Sequence, residues 1–165
     1  LGKDVWGPGS FKSLGDFVKW ITREKAHVDR IACPWLIKRF VDPDAEFLFV
    51  PGDKVLEMAQ QADAIPFDAK GVELGHHGEF CSFDAIVKKY GLTDPALLAL
   101  AEIVRGADTR RPELAPEAAG LDSIATGFRI ISADDYDNMA KQWPMYDALY
   151  EFCRSKVAEA RPGRG

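Results

Sequence analysis

The sequence predicts a single, mostly helical α+β domain with a small sheet of two or three strands. Residues 17–22 (Phe-Val-Lys-Trp-Ile-Thr) and 45–50 (Ala-Glu-Phe-Leu-Phe-Val) are short runs rich in aromatic and β-branched side chains, the composition of strands. Most of the remaining chain carries helix signals: Asp or Pro at starts, Gly at stops, and apolar residues at helical spacing. A length of 165 residues with 47% hydrophobic content suffices for one buried core without disulfide staples.

In chain order, residues 1–19 are expected to be an irregular arm, because the first 16 include four Gly and one Pro. The domain proper is expected over 20–158, with a flexible tail at 159–165. After the first strand, a helix is expected to start near Cys33-Pro34, since proline suits the first helical position and disrupts the interior. Asp42-Pro43 ends it. A short helix over 54–61 and an extended piece at 65–68 follow the second strand. Beyond the loop 75–84, Ser82 is expected to cap a helix over 83–90 that stops at Gly91. Asp94 and Pro95 open the next helix, with Leu97, Leu98, Ala101, Val104 and Ala107 inward. Pro116 opens another, reaching about Ile131, with Leu121, Ile124, Ala125 and Phe128 inward. Ser132-Ala-Asp-Asp135 has the form of a capping box with Asp in place of Glu. Tyr146, Leu149, Tyr150, Cys153 and Val157 make the packing stripe of the last helix, which Pro144 either kinks or separates from a preceding turn.

Composition narrows the function. A formal charge of −5 argues against a sequence-independent nucleic-acid binder, although Lys38-Arg39 and Arg110-Arg111 are local basic pairs. No run of residues is long and apolar enough to span a bilayer, and the first ten residues lack the layout of a secretory signal, so a cytoplasmic location is expected. The chain starts without Met, which leaves a processed start open. Three cysteines at wide spacing are not a disulfide framework; reduced thiols are expected, with a Cys33–Cys81 bridge as the minor alternative.

The run Gly75-His-His-Gly-Glu-Phe-Cys-Ser-Phe-Asp84 is the densest concentration of reactive side chains. His76, His77, Glu79, Cys81 and Asp84 supply imidazole, thiol and carboxylate, a mixture that suits zinc, copper or iron. The spacing contains no second Cys or His pair, so a further ligand must come from elsewhere; Asp29, His27 and Asp108 are the candidates. The alternative is a surface loop with a buried, inert Cys81. Cys33 at a helix start near Arg30 would have a lowered pKa, or else pack as a buried thiol beside Trp35. Arg30, Arg39 and Arg105 offer forked donors for an oxyanion, or serve as ion-pair partners; an Arg105–Asp108 clasp is one such pairing. No phosphate loop, dinucleotide fingerprint, nucleophile elbow or His-Glu-x-x-His motif is present in the sequence.

Read together, Asp29-Arg-Ile-Ala-Cys-Pro-Trp-Leu-Ile-Lys-Arg-Phe-Val-Asp42, Ala45-Glu-Phe-Leu-Phe-Val-Pro51, His76…Cys81-Ser-Phe-Asp84 and Ile103-Val-Arg-Gly-Ala-Asp108 resemble the chromate-resistance domain family, found as the C-terminal part of ChrB proteins. The resemblance covers roughly residues 20–155. It implies an association with chromate-resistance operons beside an efflux transporter, a chromate-responsive regulatory role, and joining in related proteins to rhodanese-like sulfurtransferase modules. It also implies a preceding region in full regulators where DNA binding would lie, so DNA binding by this chain alone is not expected.

The leading expectation is a ligand-sensing domain rather than an enzyme. Arg30, Arg39 and Arg105 would bind chromate with His76 as a donor, and Cys33 and Cys81 would report it by oxidation. The alternative is a metal-dependent enzyme, or a redox partner of a rhodanese-like protein, in which His76, Cys81 and Asp108 hold zinc or iron and Glu79 acts as base. A transcriptional regulator of an efflux operon, or a protein-interaction module, is a third class. The oligomeric state is open, a homodimer among the options.

Overall fold

The central strand of the sheet is β1, Lys19–Arg23, and it alternates its side chains between two different cores. Trp20 belongs to the large core on one face; Ile21 packs with Val50, Val55 and Ala59 on the other. β2, Glu46–Val50, and β3, Ala64–Pro66, flank β1 in the order β2-β1-β3. Both pairings are parallel, from Lys19 opposite Glu46 and from Lys19 opposite Ala64. Parallel neighbours need crossovers. Helix α1, Val28–Leu36, and the turn after it make the first; helix α2, Val55–Ala62, makes the second. The computed structural model describes residues 17–163, so most of the expected arm and the end of the expected tail lie outside the described residues.

The architecture is the single α+β domain expected, with a three-stranded sheet and four further helices: α3, Ser82–Lys89; α4, Pro95–Asp108; α5, Ala118–Ile131; and α6, Asp135–Ala160. None of the helices described is long and apolar enough to cross a membrane.

Several boundaries differ from the sequence reading, each for an identifiable reason. The helix expected from Cys33-Pro34 begins at Val28, and Pro34 lies inside it. An interior proline costs about 3 kcal/mol, but Ile31, Trp35 and Leu36 are fully buried here, each contributing about 1.5–3 kcal/mol. Burial wins. A π turn over Ile37–Val41 follows, with the Asp42 N–H donating to the Ile37 carbonyl at 2.7 Å. Pro144 likewise lies within a continuous α6. Cys81, not Ser82, is the N-cap residue of α3, and its N–H donates to Asp84 at 3.1 Å. α5 starts at Ala118 after a 3-10 turn over Pro112–Leu114, rather than at Pro116.

The expected capping box at 132–135 moves by two positions. Asp134 caps α6 by accepting from the Asp137 N–H at 2.8 Å. That frees Asp135 to accept from the N–H groups of Lys25 and Ala26, at 2.9 and 2.6 Å. Leu98 and Ile124, expected inward, are each 45% exposed. Helices α1, α3, α5 and α6 pack on α4 and cover Leu97, Ala101, Val104 and Ala107 as expected, with Leu100 buried in place of Leu98. The three cysteines are free, which removes the Cys33–Cys81 bridge.

Gly106 of α4 lies against the start of α5, where a Cβ would stand 2.8 Å from the Ala118 Cβ and 3.0 Å from the Arg111 carbonyl oxygen. Gly106→Ala, despite its better helix propensity, should therefore destabilise the domain by about 1–3 kcal/mol. Denaturant unfolding checks this, and an unchanged or raised midpoint contradicts it.

Candidate functional site

Parallel strands direct their carboxyl ends to one edge of a sheet, and that edge is where open α/β folds place their sites. Here the same edge receives the starts of α1 and α3, the end of α4 and the loop leaving β3. Asp29 is the second residue of α1, Asp68 follows β3, His76 lies on the loop beyond it, and Asp108 is the last residue of α4.

The loop holding Asp68 and His76 is shaped by backbone contacts. Phe67 continues the β1 pairing by donating to the Ile21 carbonyl at 3.0 Å, and the Asp68 N–H donates to the Leu74 carbonyl at 2.9 Å. Asp68 has φ of 43°, a left-handed conformation unusual for a residue with a side chain. A Cβ at Gly75 would meet the carbonyl oxygens of Ala69 and Val72 at 3.0 and 3.1 Å. Glycine there lets the loop close and brings His76 back to Asp68.

Three carboxylates converge on one imidazole nitrogen. His76 Nε2 is 3.0 Å from Asp108 Oδ2, 3.3 Å from Asp68 Oδ1 and 3.5 Å from Asp29 Oδ2. The fold holds the other oxygen of each. Asp29 Oδ1 accepts from the Phe83 N–H at 3.1 Å and the Cys33 thiol at 3.3 Å. Asp68 Oδ2 faces Arg30 Nε at 3.4 Å and Arg23 at 3.5 Å. Asp108 Oδ1 accepts from the Asp29 N–H at 3.3 Å. Ser82 serves two members, its N–H donating to Asp29 at 2.7 Å and its hydroxyl to Asp68 at 2.9 Å.

The electrostatics follow from this crowding. Hydrogen bonds to Asp108, then Asp29 and Asp68, push the His76 pKa up to about 12. Burial pushes Asp29 up to about 7, against the hydrogen bond from His76. Burial also acts to raise Asp68, but His76, Arg30, Ser82 and Arg23 outweigh it and hold it below its ordinary value. Asp29, Asp68 and His76 have ligand atoms all within 4.8 Å of one another and can hold a metal ion.

The residues anticipated from sequence divide sharply. His76 and Asp108 meet at this centre, Arg30 borders it, and Asp29, weighed only as an outside ligand, is its most buried member. Arg39 is elsewhere: it pairs with Asp147 at 3.0 Å and lies over the Trp143 ring. Arg105 pairs with Asp84 at 3.1 Å rather than with Asp108, and stacks on Phe80. Those residues line a separate cleft of about 1120 Å³ between α3 and α4, larger than the one at the carboxylates. His77 Nε2 donates to the Glu73 carbonyl at 2.6 Å at the surface, and Glu79 faces Arg111 at 3.3 Å.

Neither cysteine has the environment of a reactive thiolate. Cys33 sits inside α1 rather than at its start, and burial together with Asp29 and Asp68 raises its pKa. Burial, Asp29 and Asp84 raise that of Cys81, whose thiol donates to Asp84 at 3.3 Å. Asp68 and Arg23 went unnoticed in the sequence. Each stands at the end of a strand, a position that becomes informative only once the strands are known to be parallel.

These features define a class: a small α+β domain with a carboxylate–imidazole centre at the carboxyl edge of a parallel sheet. The chain belongs to the family "ChrB, C-terminal domain", whose model matches residues 20–153. "Protein ChrB" of Cupriavidus metallidurans (strain ATCC 43123 / DSM 2839 / NBRC 102507 / CH34) is 34% identical over 135 residues, 80% of this chain and 40% of that protein. The chain thus spans less than half the length of that relative. No solved structure matches the chain.

Two measurements probe the site. Ellman's reagent should react slowly with all three buried thiols in the native protein and rapidly after denaturation; a fast native thiol contradicts the description. A raised imidazole pKa stabilises the fold fully below the free value near 6.5, and that contribution is lost as pH climbs towards about 12. With chelator present, the stability gap between wild type and His76→Gln should therefore shrink from neutral to strongly alkaline pH. A gap that widens with pH reverses the sign.

Proposed function

We propose that the domain binds a divalent metal ion through Asp29, Asp68 and His76, with Asp108 beside them, and that this centre is its contribution to chromate resistance. The carrying observation is the surplus of acceptors around His76 Nε2: three carboxylate oxygens within 3.5 Å of one nitrogen. One N–H satisfies one acceptor well. A metal ion with bonds of about 2.0–2.2 Å holds neighbouring donor atoms about 3.0–3.5 Å apart, a spacing that suits Asp29, Asp68 and His76 together.

The surroundings support the same reading. Each carboxylate is oriented through its other oxygen by a backbone N–H or a guanidinium, the outer support that metal-binding carboxylates receive. The donor set is oxygen-rich with one imidazole, which favours Mn²⁺ or Fe²⁺ over a thiolate-selected zinc. Cys81 is a poor ligand because its thiol is held protonated against Asp84.

Direct chromate sensing by arginine and histidine is the second reading, favoured by Arg30 and Arg23 lying together on Asp68. The carboxylates surrounding His76 would repel a dianion there unless a cation intervened. A regulatory role alongside the additional chain of longer ChrB proteins fits either reading.

Elemental analysis after loading with Mn²⁺, Fe²⁺ or Zn²⁺ and desalting should find one ion per chain. His76→Ala should weaken retention by more than about a hundredfold, beyond what loss of an outer partner costs. A wild-type protein that retains none of the three, or an unaffected variant, sinks the proposal.

A further inference from the structure

We infer that the metal-loaded centre takes a second ligand, a dianionic oxygen group such as phosphate, gripped by Arg23 and Lys70, and that it binds only after the cation. The inference rests on the metal-binding reading and names the ligand class of the same site.

A cleft of about 670 Å³ opens onto the centre, lined by Asp68 and His76 together with Arg23, Lys70 and Gly71. It is the solvent approach to the carboxylates, since Asp29 is fully buried while the His76 side chain is 44% exposed. Arg23 is anchored without being consumed. Its Nε donates to the Asp68 carbonyl at 3.1 Å and one terminal nitrogen reaches the Asp68 carboxylate at 3.5 Å. The other terminal nitrogen has no partner among the described residues, and the side chain remains 44% exposed. Lys70 is exposed and has no acidic partner among the described residues. The acid in the same wall, Glu73, is taken by Lys89 at 2.7 and 2.8 Å.

Charge sets the order of binding. Three carboxylates, Asp29, Asp68 and Asp108, outnumber the two guanidiniums of Arg23 and Arg30 that face the centre, an arrangement that disfavours an anion on its own. A bound divalent cation reverses that balance. An anion then gains both the cation and the remaining terminal N–H groups of the Arg23 guanidinium. The cleft is several times larger than one tetrahedral ion, so it admits either a free ion or the head group of a larger molecule.

Calorimetry on the full chain separates the steps. Mn²⁺ titration comes first, then inorganic phosphate and methyl phosphate into metal-free and Mn²⁺-loaded protein. We expect saturable anion binding to the loaded form alone; a preference for the free ion or for the ester identifies the source. Arg23→Gln should weaken phosphate binding to the loaded protein by about tenfold, the equivalent of one charge-assisted hydrogen bond. Lys70→Gln, at an exposed position, provides the same test if loss of Arg23 disturbs Asp68. Mn²⁺ binding without anion binding, or equal anion binding with and without Mn²⁺, overturns this inference and leaves the metal reading intact. No Mn²⁺, Fe²⁺ or Zn²⁺ binding defeats both.

Discussion

The buried carboxylate of Asp29 is the interaction on which the rest of the centre depends. It accepts from the first two N–H groups of α3, through Ser82 and Phe83, although it belongs to α1. A helix start leaves such donors without intrahelical partners, and a carboxylate satisfies them while matching the helix dipole. Two helix starts are thereby fixed to one side chain. Cys33, Asp108 and His76 are then arranged around the same group. Burying a charge is costly unless it is paired and hydrogen-bonded, and here every partner that makes Asp29 tolerable also shapes the site.

This explains which parts were legible in the sequence. The strands, the Gly91 stop and the Asp94-Pro95 start are local signals, and all are present in the fold. α1 was displaced because proline's local preference was weighed without the burial of Ile31, Trp35 and Leu36, which only tertiary packing supplies. Ser82 looks like a cap because its side chain suits one. In the folded chain that hydroxyl has a stronger claimant, Asp68, fourteen residues earlier.

The centre itself was half visible. His76 stands out by residue type, and Asp29 and Asp108 enter as outside candidates; Asp68 and Arg23 carry no local mark. Arg39 and Arg105 are attractive by type, but each is committed to an aspartate far away in sequence, Asp147 and Asp84. The thiols illustrate the same limit. Cysteine chemistry is set by burial and neighbouring charge, and both Cys33 and Cys81 are surrounded by carboxylates that disfavour thiolate.

α6 reaches back across the whole domain to the turn before α1. Asp135 receives the N–H groups of Lys25 and Ala26, Asn138 donates to the Ala26 carbonyl at 3.2 Å, and the Tyr146 hydroxyl donates to the Val28 carbonyl at 3.4 Å. The residues that aim Asp29 are therefore secured by a helix synthesised after every other element of the domain. During vectorial synthesis, the strands and the first five helices leave the ribosome before the four hydrogen bonds that tie down the entry to α1 can form.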